Sequence, residues 1–354
     1  MLATAGYGNN DGIITMTTDA GSVNLGLRGT GSVTVDWGDG SEKQTLEFDL
    51  INAYAGWTSV RGELPSVKPK PVTGWAVIRR DNMDTNPRTI TITGNNITGL
   101  HCLIGSMKRC NQFTKLDVSR NTALTELYCD GNLLTELDVS LNTGLTELDC
   151  SNNQLTELDV SRNTALTLLN CSNNQLTELN VSKNTDLVRL SLMGNKLTEL
   201  DISRNTALES LFCPVNKLTE LDVSKNTVMR ELVCFANQFT ELDVSKNITL
   251  SIFSCSNNQL TKLDVSKNPV LTKLNCDNNK LNADALNVLF GMLTGKIITV
   301  ETVLDKYKGT ERGGEELPKI INFDSNPGYT DCDQSILKAK GWILEAIYYQ
   351  QFEN

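Results

Sequence analysis

The stretch LTELDCSNNQLTELDVSRNTA, residues 145–165, decides the fold of this chain. It is one copy of a phrase repeated from Leu124 to Leu281. The period is 21 residues, marked by Cys129, Cys150, Cys171, Cys213, Cys234, Cys255 and Cys276, with Leu192 at the one missing place. Inside each copy the spacing is L-x-x-L-x-C-x-x-N-x-L, and a cysteine serves as a small buried hydrophobe in the third apolar place. Each copy also contains itself, because its first half (L-T-x-L-x-C-S-x-N-Q) and second half (L-T-E-L-D-V-S-x-N-T) share one pattern. A short strand that presents Leu and Cys on one side cannot bury that side alone. Neighbouring copies stacked about 4.8 Å apart bury it for each other. Asn153 and Asn163 suit the bends after each phrase, where a side-chain amide satisfies backbone groups left over by the turn.

This pattern resembles that of leucine-rich repeats, and the nesting resembles the 21-residue, internalin-like class found in bacterial surface proteins. The resemblance covers about half of the chain. It implies an α/β solenoid with a parallel β ladder, spanning residues 96–281, whose strands expose a long surface. The opening of the ladder is irregular. ITGLHC (97–102) begins a turn, LIGSMKR interrupts it, and CNQFTKLDVSRNT resumes it. An insertion in a repeat protein becomes a loop on one face. His101, the one histidine of the chain, reads as a strand residue there.

Residues 1–95 carry no repeat. Alternating β-branched runs at Ile13–Thr17, Val33–Val35, Trp75–Ile78 and Thr89–Thr93, separated by Gly, Asn and Pro, predict an all-β sandwich. SVTVDWGDGS (32–41) resembles the W-D-F-G-D-G-S stretch of polycystic-kidney-disease-type immunoglobulin-like domains, with RTITITG (88–94) as the closing strand. Asp36 and Asp39 fit either a calcium site or an Asp-Gly turn. The turn is favoured because few further oxygen ligands lie nearby. ELPSVKPKP (63–71) reads as a solvated loop.

Beyond Leu281 the repeats stop. NADALNVLFGMLTG (282–295) has helical spacing in Leu286, Leu289, Phe290 and Leu293. IITVETVL (297–304) is strand-like and KYKGTERGGEELP (306–318) a loop. KIINFDSNPG (319–328) reads as a strand, DCDQSILKAKG (331–341) as a helix and WILEAIYY (342–349) as a last strand. The end of a solenoid exposes its apolar core, so residues 282–354 are expected to form an α/β cap. GMLTGK (291–296) is one residue short of a phosphate loop and lacks its Ser or Thr.

The 354 residues carry 42 acidic against 32 basic side chains, a net charge of −10, which argues against nucleic acid or an anionic membrane surface as partner. No apolar run reaches the roughly 18 residues of a membrane span. No charged-then-apolar export signal precedes Leu2, so the alternatives are a chain whose signal was removed and a cytosolic one. The resemblance to surface proteins points to a secreted or cell-surface location. The ten cysteines lack the close pairs of a metal site; seven form the ladder, Cys102 and Cys110 fall outside its spacing and could pair, and Cys332 has no evident partner. Neither metal, cofactor nor catalytic residue is expected. One histidine does not build a Ser-His-Asp or Cys-His site. The repeating acids, such as Glu157 and Asp159, read as a solvated face beside Arg162 and its equivalents.

Where the repeats differ from one another is more informative. The second half hardly changes. In the first half, places that alternate with Leu and Cys point outward. Early copies put Glu147, Asp149, Ser151 and Asn152 there. Middle copies put Met193, then Phe212, Pro214 and Val215, then Val233, Phe235 and Ala236, then Ile252. Arg189, Glu231 and Lys273 flank them. A contiguous apolar patch on an outward face marks an interaction site. The expected function is therefore non-catalytic binding of a protein partner by a monomer, through Arg189, Met193, Phe212, Pro214, Val215, Glu231, Val233, Phe235 and Ile252. The alternatives are a glycan-binding adhesin and a spacer that holds another module away from a cell.

Overall fold

A computed structural model describes residues 12–48, 75–81, 83–94, 96–102, 111–296 and 316–344. The loop at 63–71, the insertion at 103–109 with Cys110, the run 297–304, most of 306–318 and the residues after Leu344 lie outside these. The chain divides into two units, Met1–Leu176 and Thr177–Asn354.

The first unit opens with short strands whose inward side chains alternate. They are β1 (Ile13–Thr18), β2 (Val23–Gly29), β3 (Ser32–Asp36), β4 (Gln44–Glu47), β5 (Ala76–Arg80), β6 (Arg88–Thr93), β7 (Ile97–His101) and β8 (Lys115–Asp117). In β1, Ile14, Met16 and Thr18 are buried while their neighbours are half-exposed. One sheet runs β4-β3-β6-β1-β8, with antiparallel pairing throughout. In the other, β2 pairs antiparallel with β5 and with β7. β2 and β4 are not evident in the sequence, because VNLGLRG carries two glycines and QTLE lacks an apolar rhythm.

The VDWGDGS stretch is a pair of consecutive side-chain turns. The Asp36 carboxylate accepts from the Gly38 amide at 3.0 Å and the Asp39 carboxylate from the Ser41 amide at 3.0 Å. Gly38 has φ +69°, and a Cβ there would stand 2.3 Å from the Thr89 carbonyl oxygen, so glycine is required. Asp39 also pairs with Arg80 at 2.9 Å and Asp36 with Lys43 at 3.3 Å. The turn reading thus describes both carboxylates, and Trp37 between them is buried.

The ladder begins within this unit. β7 pairs in parallel with β9 (Glu126–Tyr128), followed by β10 (Glu147–Asp149) and β11 (Leu168–Asn170). From β9 onward partners stand 21 residues apart, Glu126 beside Glu147 beside Leu168. The Cys102 amide donates to the Tyr128 carbonyl just as the Cys129 amide donates to that of Asp149. Cys102 is therefore the head of the cysteine ladder rather than outside it. The insertion follows the strand, so it alters the spacing to Cys129 without moving Cys102 out of register.

In the second unit the ladder comprises β12 (Arg189–Ser191), β13 (Ser210–Phe212), β14 (Glu231–Val233), β15 (Ile252–Ser254) and β16 (Lys273–Asn275), all parallel and in register. Leu190, Leu211, Leu232, Phe253 and Leu274 fill the central core row, beside Leu192, Cys213, Cys234, Cys255 and Cys276.

Two rows of buried asparagines replace the hydrogen bonds that the tight bends cannot make. In the first row, the Asn237 side-chain amide donates to the Cys213 and Cys234 carbonyls at 3.0 and 3.1 Å and accepts from the Leu218 amide at 3.1 Å. In the second, Asn247 donates to the Val223 and Asn226 carbonyls at 3.0 and 2.9 Å. The repeating aspartates of the second half-phrase are turn residues too. Asp222 and Asp243 each accept from the amide of the serine two residues on at 2.8 Å, and these serine bonds hold their carboxyls below the usual carboxylate range. They do more than furnish a solvated face.

The ladder runs on past Leu281. α1 (Ala283–Met292) is capped by the Asn282 side chain and buries Leu286, Leu289 and Phe290. β17 (Lys319–Asn322) then adds to β16 in parallel, and Phe323 takes the place of the ladder cysteine: the Cys276 amide donates to the Asn322 carbonyl. Asn326 continues the first asparagine row, accepting from the Leu281 amide at 3.1 Å. The helix read over 331–341 covers only α2 (Ser335–Ala339): Gln334 stands at its N-cap without a side-chain cap, and the Asp333 carboxylate before it accepts from the Ser335 amide at 3.0 Å in a turn. β18 (Trp342–Leu344) pairs with β17.

Candidate functional site

The outward face of the second unit is built by strands only three residues long, with the middle residue inward and the two ends outward. Two rows result. One reads Arg189, Ser210, Glu231, Ile252, Lys273 and the other Ser191, Phe212, Val233, Ser254, Asn275. Phe212 stands directly beside Val233, and Glu231 beside Ile252. All four are half-buried, and Arg189 is exposed. The residues just beyond the strands add Met193, 40% exposed, and half-buried Phe235. Adjacent strands lie about 4.8 Å apart, so Phe212, Val233 and Ile252 belong to one surface.

Pro214 corrects the expectation. It is buried, as are Ser151, Ser172 and Ser256 at the same place in other turns. Strict alternation lasts only as long as the strand, which ends at Phe212. The backbone then bends, and the Pro214 carbonyl accepts from the Gly194 amide at 3.0 Å and from the Asn216 side chain at 3.2 Å. Pro214 therefore lines the turn while Met193 and Phe235 on either side of it remain in the face.

The next place in each turn is left-handed. It is held by Asn152 and Asn173 in the first unit, and by Gly194, Val215, Ala236, Asn257 and Asn278 in the second, with φ between +46° and +67°. Glycine and asparagine suit this conformation; a β-branched valine does not. Val215 nevertheless sits at φ +56° and is 44% exposed. In the polar turns the same row forms side-chain bonds, Asn173 to Asn152 at 3.0 Å and Asn278 to Asn257 at 2.8 Å. The row gives up these bonds and accepts strain where the neighbouring rows become apolar.

Charge is sparse here. Glu231 is half-buried, and burial pushes its carboxyl above the usual range, opposed by a Ser210 hydrogen bond and the charge of Arg189. Arg230 lies 3.7 Å from Glu209.

The first unit holds a cluster that the sequence does not reveal. Trp75, His101 and Tyr128 meet edge-on or tilted with ring centroids 5.2–5.9 Å apart, and the Arg28 guanidinium lies 4.8 Å over Trp75. Arg28 pairs with Glu126, and the Tyr128 hydroxyl donates to Glu147. Trp75 lies against Gly99, where a Cβ would come within 2.7 Å of its ring. Burial, and then the charge of Asp149, push the Asp130 carboxyl up to about 6. Tyr128 was open to discovery as an outward aromatic in its turn. Trp75 lies outside the repeats, so no register announced it. Among the described residues, no group of three or more His, Cys, Asp or Glu is placed to hold a metal ion, and no helix is long and apolar enough to cross a membrane.

No protein-family model and no curated protein matches the chain. Solved structures similar to it are leucine-rich-repeat proteins, internalins among them. The functional domain of InlJ from Listeria monocytogenes, described as including a cysteine ladder, is 36% identical with a TM-score of 0.47, over 60% of this chain and 50% of that one. An internalin, InlF, from the same organism is 19% identical with a TM-score of 0.47, over 70% of this chain and 79% of that one. YopM, a leucine-rich effector protein of Yersinia pestis, is 24% identical with a TM-score of 0.40, over 45% and 51%. The chain spans half the length of the InlJ chain it resembles. The description of the fold rests on the register and hydrogen bonds of the chain itself.

Proposed function

We propose that this protein is a non-catalytic binding protein that recognises a protein partner through the outward face of β12 to β15, with Phe212 and Phe235 as anchors and Met193, Val215, Val233 and Ile252 around them. The observation that carries this reading is the coincidence of two departures in the same turns. Phe212 and Val233 put apolar side chains side by side where other turns are polar, and Val215 holds a left-handed conformation that its side chain disfavours. Strain retained beside an exposed apolar patch is expected of a surface kept for contact. In the same reading the protein is secreted or displayed on a cell surface and acts as a monomer. Residues 1–95 form an immunoglobulin-like sandwich, the repeats are of the nested 21-residue internalin-like type, and residues 282–354 cap the solenoid.

Affinity capture tests the face. The intact chain and its Phe212→Ser/Phe235→Ser variant are immobilised side by side and offered the same surface-protein extract and the same glycan array. Proteins retained by the first and lost from the second support the reading. Equal retention on both rejects the face, and loss of glycans alone would make the ligand a carbohydrate.

A further inference from the structure

Glu231 stands within the face just described, and its place there bears on what a partner must bring. It lies beside Ile252 on one side and Ser210 on the other. Val233 is two residues along the same strand, pointing to the same face, and Phe212 is diagonal to it. The carboxylate is half-buried, and the ion pairs seen among the described residues do not include it. In its row the nearest cations are Arg189 and Lys273, each two strands away, or about 10 Å. The Ser210 hydrogen bond and the charge of Arg189 offset its burial only in part, and its carboxyl stays raised.

A partner covering Phe212, Val233 and Ile252 also strips the remaining water from Glu231. An apolar surface laid over a carboxylate that its neighbours compensate only in part binds poorly, whereas a cation that reaches it gains a partly desolvated ion pair. Arg189 and Lys273 at the two ends repel a segment that is basic throughout. Resting on the binding face proposed above, we infer that the partner segment carries a single lysine or arginine set between apolar residues, and that Glu231 receives it. Glu231 thereby selects among partners, while the phenylalanines supply the contact area.

Selection from a phage-displayed library of random dodecapeptides on the intact chain tests this. The expected pool is apolar with one central Lys or Arg, and its binding disappears on Phe212→Ser/Phe235→Ser. Synthetic peptides from that pool should bind Glu231→Gln at least about tenfold more weakly. Selection on Glu231→Lys should return Asp or Glu at the central place, and oligolysine should bind neither chain. A pool that depends on the phenylalanines but lacks the cation, or is indifferent to Glu231→Lys, overturns this inference and leaves the face standing. A pool that binds the double phenylalanine variant equally well, or no enrichment at all, removes both.

Discussion

Val215 is a β-branched residue at φ +56° in a place that the adjacent turns fill with Gly194 and Ala236 and the turns beyond them with asparagine. The left-handed conformation costs such a residue about 1–2 kcal/mol. Val215→Asn should therefore raise stability in urea by about 1 kcal/mol and weaken partner binding. A variant that is less stable would show that the valine is held by packing rather than for contact. Glu231 and Pro214 show where reading residues singly succeeds and fails. Glu231 lies where strict alternation puts it. Pro214 does not, because alternation is a property of extended backbone and the strand has ended two residues earlier. A rule of period two needs the length of the strand before it can assign a face.

At the scale of the element, the stack was legible because each turn repeats the same inward residues, so Leu211, Cys213 and Asn216 declare their roles through their equivalents. The N-terminal strands were half legible. β1 and β6 alternate cleanly, whereas β2, with Gly26 and Gly29, does not. The continuation into β17 was hidden by α1 and the long segment after it, which separate Asn275 from its partner Asn322 by 47 residues instead of 21. Two predictions belong here. Asn237→Ala removes the donor to the Cys213 and Cys234 carbonyls and the acceptor of the Leu218 amide, all buried. It should cost about 2–4 kcal/mol in urea unfolding, from orphaned groups at about 1–3 kcal/mol each; a loss under about 1 kcal/mol would mean that water replaces the amide. The ladder thiols are buried, and burial pushes Cys213 up to about 12. They should react with a thiol reagent only after unfolding, with half-buried Cys332 reacting first. Rapid native labelling of the ladder would contradict its burial. Cys213→Ser should cost roughly 1–3 kcal/mol for a buried hydroxyl with poor partners.

For the whole molecule, two sets of carboxyls pull stability in opposite directions with pH. Asp130, at about 6 in the folded state, binds its proton more tightly there than in the unfolded chain near 3.8, so stability rises as pH falls from 7 through 6 towards 4. Glu231 is raised and acts in the same direction. The turn aspartates, including Asp138, Asp159 and Asp243, are lowered by their serine bonds, so their contribution is present above about 4 and is lost below it. Thermal stability should therefore peak near pH 5, and Asp130→Asn should flatten the rise between pH 7 and 5. A maximum at neutral pH that Asp130→Asn leaves unchanged would contradict this. The central claim is that the apolar side chains outside β13 and β14 are a surface for a partner and not part of the core. Urea unfolding of Phe212→Ser/Phe235→Ser tests it most directly. Stability within about 1 kcal/mol of the parent chain is the predicted result, as for substitutions away from a core. A loss of 3 kcal/mol or more, in the range of a truncated core phenylalanine, would show that these rings hold the stack together and would contradict the claim.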